Sequence, residues 1–467
     1  MAFLSVDFFL LLPFAVLLFH LAPLSWRRPL LLLYSYGFYA TWSVPYAGLL
    51  LLTTLIIRDL ALRMQGARSD GRKRLLLTLG LVALTLMLGL FKYAPAAGGA
   101  FASLLVPLGI SYYTFKLISY LVDVYWDKLP AERDLVSLLL FPVFFPQILS
   151  GPIQRAKDFL PQIAQPAPVP AAVIASGLRL ILFGLFKKLV IADRLALMVG
   201  RVFDAPEAYS SLGLLLAAYG FAVQVYADFS GVTDLAIGIG RLFGIDSPQN
   251  FNSPYYAPNI QEFWRRWHMS LSGWLTDYIF TPLRLAFRDF GNLGLVLAIT
   301  VNMVAIGVWH GPRLTYVVFG LVNAFYMVVS ALTLKARNRF YKSRPRLQAL
   351  RAVAAPVFTF HMVVFVFLLM RANSVSDFVY IVTHAIPRDL GPSLSLRGLS
   401  LSFNEIYWAA LALPIMEAIH LLKRRGTLDR VVFALPTPVR WAGYYALILA
   451  TALFGVLEVR EFFYAQF

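Results

Sequence analysis

The 467-residue chain is 59% hydrophobic with a mean hydropathy of +0.70 and only 14% charged residues, well below the quarter typical of soluble domains, so a polytopic membrane protein is expected and a soluble enzyme is not. The absence of cysteine excludes disulfides, thiolate metal sites and an acyl-cysteine intermediate. The net charge of +17 is spread over short loops between apolar runs rather than gathered on one soluble face, which argues against nucleic-acid binding.

Apolar runs of about 18 to 22 residues, each able to cross a hydrocarbon core of about 30 Å as a helix, recur along the chain. They predict spans near 5–24, 29–43, 46–62, 75–95, 104–125, 135–150, 173–198, 210–226, 291–310, 314–334, 352–370, 403–422 and 439–458, some of them re-entrant. The expected fold is all-α, one integrated membrane domain over 1–467. The first span contains Asp7 and has no Lys or Arg before Arg27, so it lacks the basic start of a signal peptide and is expected to stay as an anchor. Basic loops at 63–74, 335–351 and 423–430 are expected on the cytoplasmic side, held by anionic lipid. That orientation puts both termini and the 371–400 loop outside.

The densest polar chemistry inside apolar sequence is "PNIQEFWRRWHMSLSGWLTDYIFTPL", residues 258–283. Asn259 followed by Glu262 reads as a helix start with a capping box. At 100° per residue, Ile260, Phe263, Trp264, Trp267, Leu271, Trp274, Leu275 and Tyr278 share one arc, predicting a single amphipathic helix over 259–279. His268 falls at one margin of that arc and Arg266 at the other, with Glu262 and Arg266 in the favourable i, i+4 order. The helix is either an interfacial one with a tryptophan belt or a re-entrant one that carries His268 to a buried site.

His310 closes the span "AITVNMVAIGVWHG" and is its only ionisable group. Ionisable residues inside membrane segments are costly and usually face a cavity or substrate path. Asn302 lies two turns earlier on the face of Trp309, and Gly311 and Pro312 break the helix, which is tolerated at depth only under other protein or beside a cavity. An imidazole there suits general-base work, and a dry site would favour its neutral form. The plainer alternative is a helix-end histidine reaching the interface.

Asp228, Ser230 and Asp234 of "DFSGVTD" read equally as site residues or as a polar packing seam. "HAIPRD" (384–389) matches the His-x4-Asp pattern of soluble and peripheral glycerolipid acyltransferases but is short, holds a proline and falls in the expected external loop. His20, His361 and His420 stand alone in apolar spans and read as packing residues. No G-x-S-x-G elbow or nucleotide-binding glycine loop is present.

Taken in order, "YSYGFYATW" (34–42), "PQILSGPIQR" (146–155), "YADFSGVTDLAIGIGRLFGI" (226–245), "FWRRWHMSLSGWLTDYIFTPL", "GVWHG" and the closing "FFYAQF" (462–467) resemble the membrane-bound O-acyltransferase family. Within it the chain looks most like the bacterial branch that contains the alginate O-acetyltransferase membrane subunit. The resemblance implies a helical bundle around a funnel and tunnel, with His310 as the catalytic histidine and His268 as a second important one. Trp309, Asn302, Trp267, Arg266, Asp228 and Ser230 become candidates for lining or orienting roles, with no metal.

It further implies no bound cofactor, acetyl-CoA or another acyl-CoA as donor, and O-acetylation of a secreted polysaccharide, directly or through an extracytoplasmic SGNH-type acetyltransferase at the bacterial inner membrane. D-alanyl transfer to teichoic acid, acylation of a lipid or peptide, and a non-enzymatic transporter or synthase scaffold remain open. Thr276, where close relatives carry arginine, and Leu314 and Phe319, where they carry tryptophan, put the acceptor or partner surface in question.

Overall fold

A computed structural model describes residues 5–101, 104–386, 403–424 and 428–456. Among the described residues the chain is all-α with no strand, and a helix stands in every predicted span. Six helices are long and apolar enough to cross a membrane: Val44–Gln65, Asp70–Ala96, Ser211–Leu242, Arg288–His310, Leu314–Lys342 and Pro345–Arg371. The protein is a multi-pass membrane protein.

Several boundaries differ from expectation for identifiable reasons. The 104–125 span begins only at Ile110, because Pro107 and the left-handed Gly109 (φ 68°) precede it. The 210–226 span runs on to Leu242, since the buried polar groups of "DFSGVTD" include Asp228 and Ser230, which find side-chain partners instead of ending the helix. The 173–198 span is three pieces: Ala171–Leu185, a π-helical turn Phe186–Ala192, and Asp193–Asp204. The expected 335–351 loop shrinks to Ser343 and Arg344, because Leu314–Lys342 and Pro345–Arg371 carry their helices through the basic sequence. Lys and Arg are good helix formers, and cations suit a helix C-terminus. Residues 425–427 of the third basic loop, 387–400 of the expected external loop and the closing "FFYAQF" lie outside the described residues.

The described residues fall into two compact units, one drawn from Met1–Ile181 with Val232–Gln249, the other from Leu182–Gly231 with Asn250–Phe463. The first explains "PQILSGPIQR". Buried Lys116 donates to the Phe141 carbonyl (2.8 Å) and to Gln147 Oε1 (2.6 Å), and Gln147 Nε2 donates to Gln154 Oε1 (2.6 Å) and Ser247 Oγ (2.7 Å). The Phe141 and Phe159 rings lie under the ammonium at 5.1 and 5.5 Å. A buried cation is tolerated when it is hydrogen-bonded and lies over aromatic faces. In this unit Gly177 and Gly238 let two helices touch, each Cβ position falling within 2.7 Å of the other's carbonyl oxygen. Of the candidate site residues of the sequence, all but Asp234 belong to the second unit.

Candidate active site

The helix Gly291–His310 ends at His310 because Gly311, at φ 146°, adopts a conformation L side chains rarely take. The chain then turns into Leu314–Lys342, and the two helices lie against each other. Glycines make that approach possible: a Cβ at Gly307 would fall 2.2 Å from the Tyr316 carbonyl oxygen, and one at Gly320 would fall 2.7 Å from that of Met303. Tyr316 and Phe319 thereby flank the buried His310 imidazole, with ring centroids 6.0 and 5.8 Å away. Trp309, also buried, stands edge-on at 4.9 Å. Asn302 is buried on the same helix, and its Oδ1 accepts no hydrogen bond among the described residues.

The second histidine segment corrects the expected continuous helix. Asn259 caps as predicted, its Oδ1 accepting the Glu262 N–H at 2.9 Å. Helix Ile260–Arg266 then stops, Trp267 is extended, and His268 is left-handed (φ 42°, ψ 54°) before Met269–Leu275 and a π turn, Thr276–Phe280. Backbone bonds from a neighbouring stretch supply the reason. Asn252 N–H donates to the Arg266 carbonyl (3.0 Å) and Met269 N–H to the Asn250 carbonyl (2.9 Å), so the polar main chain freed by the bend is met. The arc from Ile260 to Leu275 is nevertheless buried, and only Tyr278 of it is not. This segment covers the His310 break: Trp264 Nε1 donates to Asn323 Oδ1 (3.2 Å) on the following helix, and its ring meets Phe319 at 6.3 Å.

His268 is buried instead of lying at a polar margin. Its Nδ1 is 3.3 Å from Asn250 Oδ1, which also accepts from Ser270 Oγ (2.6 Å) and the Ser270 backbone N–H (3.3 Å). A backbone N–H can only donate, so the amide atom facing it is the oxygen, and the His268 Nδ1 must carry a proton. The lone pair therefore sits on Nε2, which is buried and makes no hydrogen bond among the described residues. Burial pushes the imidazole pKa down to about 3, keeping it neutral. Its ring meets Phe229 edge-on at 4.6 Å and Trp309 at 6.1 Å. Trp309 thus lies beside both imidazoles.

The other expected residues divide. Trp267 sits among Tyr226, Phe251, Tyr255, Phe263 and Phe367, with centroids 4.9 to 6.1 Å away. Arg266 pairs with Glu262 at 3.6 Å, and Arg265 takes the same carboxylate at 2.8 Å. Asp228 and Ser230 meet the π turn: Lys188 Nζ lies 2.8 Å from both Asp228 and Asp193, and Lys187 Nζ donates to Ser230 (3.0 Å). Between them in sequence, Phe229 is the residue in contact with His268.

Sequence reasoning passed over Phe229 and Asn250. The first was one apolar residue among many, and the second lies in an aperiodic stretch whose only signal was its asparagines. The remaining histidines have partners of their own: His20 Nε2 lies by the Leu242 carbonyl (2.9 Å), His361 Nδ1 by that of Val357 (2.7 Å), and His384 Nδ1 by that of Tyr380 (2.9 Å). His420 Nδ1 lies 3.4 Å from the Tyr226 hydroxyl. Asp389 of "HAIPRD" is outside the described residues. Among the described residues no three His, Cys, Asp or Glu side chains are grouped to hold a metal ion.

Comparison with known proteins identifies the family. The profile of "MBOAT, membrane-bound O-acyltransferase family" matches residues 128–371. The chain is 35% identical over 345 residues to the "Probable alginate O-acetylase AlgI" of Azotobacter vinelandii, covering 70% of this chain and 67% of that protein. It is 34% identical over 359 residues to the peptidoglycan O-acetyltransferase of Helicobacter pylori, covering 68% and 67%. The teichoic acid D-alanyltransferase of Bacillus subtilis is 35% identical over 273 residues, 56% of this chain and 67% of that one. With both histidine segments inside the matched region, the chain belongs to the membrane-bound O-acyltransferase family, in its alginate O-acetylase-like branch, and is an O-acyltransferase.

Proposed function

We propose that the protein transfers acetyl groups from cytoplasmic acetyl-CoA, across the bacterial inner membrane, to the hydroxyls of a secreted polysaccharide, directly or through an extracytoplasmic SGNH-type acetyltransferase. The observation that carries the reading is the placement of two buried imidazoles beside one tryptophan in an O-acyltransferase whose relatives include alginate and peptidoglycan O-acetyltransferases.

His310 takes the proton of the acceptor hydroxyl as that oxygen attacks the thioester carbonyl. A C–O bond forms, the C–S bond breaks, and the proton passes from His310 to the departing thiolate. No covalent acyl-enzyme is needed. His268, held as its Nδ1–H form, offers a neutral Nε2 to orient a hydroxyl or a water. Trp309 and Asn302 line the site, and Trp267 supports the bend. Arg266, Asp228 and Ser230 are in contact with charged or polar side chains of the protein, so we assign them to framework.

Purified protein in liposomes, given acetyl-CoA labelled in the acetyl group, should consume it in step with acetate-ester formation on the acceptor, and proton NMR of surface polysaccharide should show fewer O-acetyl groups when the protein is removed. Unchanged O-acetylation in such a strain, or turnover of a D-alanyl donor in place of acetyl-CoA, would displace this reading. This reading puts both termini outside and the 335–351 segment inside. Ser343→Cys should accordingly react with an impermeant maleimide only after the membrane is permeabilised, and labelling of intact cells would reverse the orientation.

A further inference from the structure

Away from the two histidines, a cavity of about 820 Å³ opens between Leu314–Lys342 and Pro345–Arg371. Phe325 and Val329 line it from one helix, Phe358 and Met362 from the other. Both helices are long and apolar enough to cross a membrane, so lipid is the medium that meets these walls. The lining changes character where Arg337 and Arg351 enter it. Arg337 donates to the Ser330 carbonyl (2.8 Å) and hydroxyl (3.2 Å), while its Nε–H is buried with no acceptor among the described residues. Arg351 lies over the Tyr341 ring at 4.5 Å. The surrounding 335–351 segment holds seven basic residues and no acidic one.

An apolar slot that ends in cations, one of them with an unmet donor, is complementary to an amphiphile with an anionic head. We infer that this cavity is a binding site for one anionic phospholipid, its phosphate on Arg337 and Arg351 and an acyl chain against Phe325, Val329, Phe358 and Met362. A coenzyme A donor shares the phosphate chemistry, but its polar pantetheine arm would leave the apolar walls unmatched. The cavity also reaches Asn259 and Ile260, which start the segment carrying His268, so the lipid braces that segment from behind.

Native mass spectrometry of the purified full chain, titrated with phosphatidylglycerol and with phosphatidylcholine of the same acyl chains, tests this. Wild type should retain one phosphatidylglycerol in preference to phosphatidylcholine. Arg337→Gln and Arg351→Gln should each weaken retention about fivefold, the scale expected for one basic residue at an anionic membrane surface. Ala355→Trp fills the slot with both arginines intact and should also remove the lipid, with an unchanged thermal midpoint showing that the fold survives. Equal retention of the two lipids, undiminished phosphatidylglycerol in either arginine variant or in Ala355→Trp, or its displacement by coenzyme A or inorganic phosphate would each overturn the assignment.

Discussion

His310 and His268 reach the same tryptophan by different physics. At His310 the helix stops because the next two residues, Gly311 and Pro312, cannot continue it, and the side chain's place follows from helix phase. At His268 no glycine or proline interrupts "RRWHMS", yet the backbone turns left-handed, held by main-chain bonds to Asn250 and Asn252. A non-glycine residue in that region costs free energy and persists only when its surroundings fix it. One histidine therefore depends on local sequence and the other on a neighbouring segment, so substitutions should separate imidazole chemistry from backbone scaffolding differently at the two sites.

The sharpest separation is expected at His310. His310→Ala removes a base and leaves the helix stop untouched, so membrane levels should stay at wild type while acyl transfer falls roughly a hundred- to ten-thousand-fold. Transfer at wild-type rate would end the assignment of His310 as base.

His268→Gly comes next. Glycine relaxes the left-handed backbone, so thermal stability should hold while turnover falls about a hundredfold, the scale of a lost orientation. Loss of folded protein together with activity would instead mean that the imidazole is mainly structural.

Asn250 offers a finer instrument. Asn250→Asp keeps the acceptor but adds a negative charge that favours the imidazolium, whereas Asn250→Leu removes the acceptor. With its folded-state pKa near 3 against an ordinary 6.5, wild-type His268 is neutral through the neutral range. The unfolded chain takes up the proton first, so the stability this burial contributes is full above about pH 6.5 and is lost as pH falls below it. In Asn250→Asp the acid limb of the kcat/KM profile should move to higher pH, and in Asn250→Leu activity should fall without that displacement. Superimposable profiles for wild type and Asn250→Asp would remove Asn250 from the role of fixing the ring.

The smallest effect is expected at the glycine contact that brings Tyr316 and Phe319 to His310. Gly320→Ala sets a Cβ 2.7 Å from the Met303 carbonyl oxygen and should cost about 1 to 3 kcal/mol of stability, read as a lower thermal midpoint with a modest loss of activity. An unchanged midpoint would mean that this helix pair has slack.

Much of the fold was legible in the sequence because each span needs only a continuous apolar run, and a helix closes its own backbone hydrogen bonds whatever its neighbours do. The ends of the spans were less legible, as at Lys342 and Leu242, where polar residues stay helical once cations sit in favourable last turns or find buried partners. In the candidate site, His310, Asn302 and Trp309 could be read together from one helix and its breakers. His268 could be singled out by its motif, but neither its burial nor its bend could be foreseen. The arc at 100° per residue predicted a continuous helix, and the hydrogen bonds that break it come from residues 14 to 19 positions away.

Sequence alone thus determined the membrane environment, the helical class, the stop at Gly311 and the two imidazoles, because those depend on composition, periodicity and local backbone preference. The tertiary structure decided which nitrogen of His268 holds its proton, that Phe229 and not its polar neighbours faces it, and that Lys187 and Lys188 occupy Ser230 and Asp228. Each of these depends on a hydrogen bond, ring contact or ion pair between segments distant along the chain, and such a pairing leaves no periodic trace in either segment by itself.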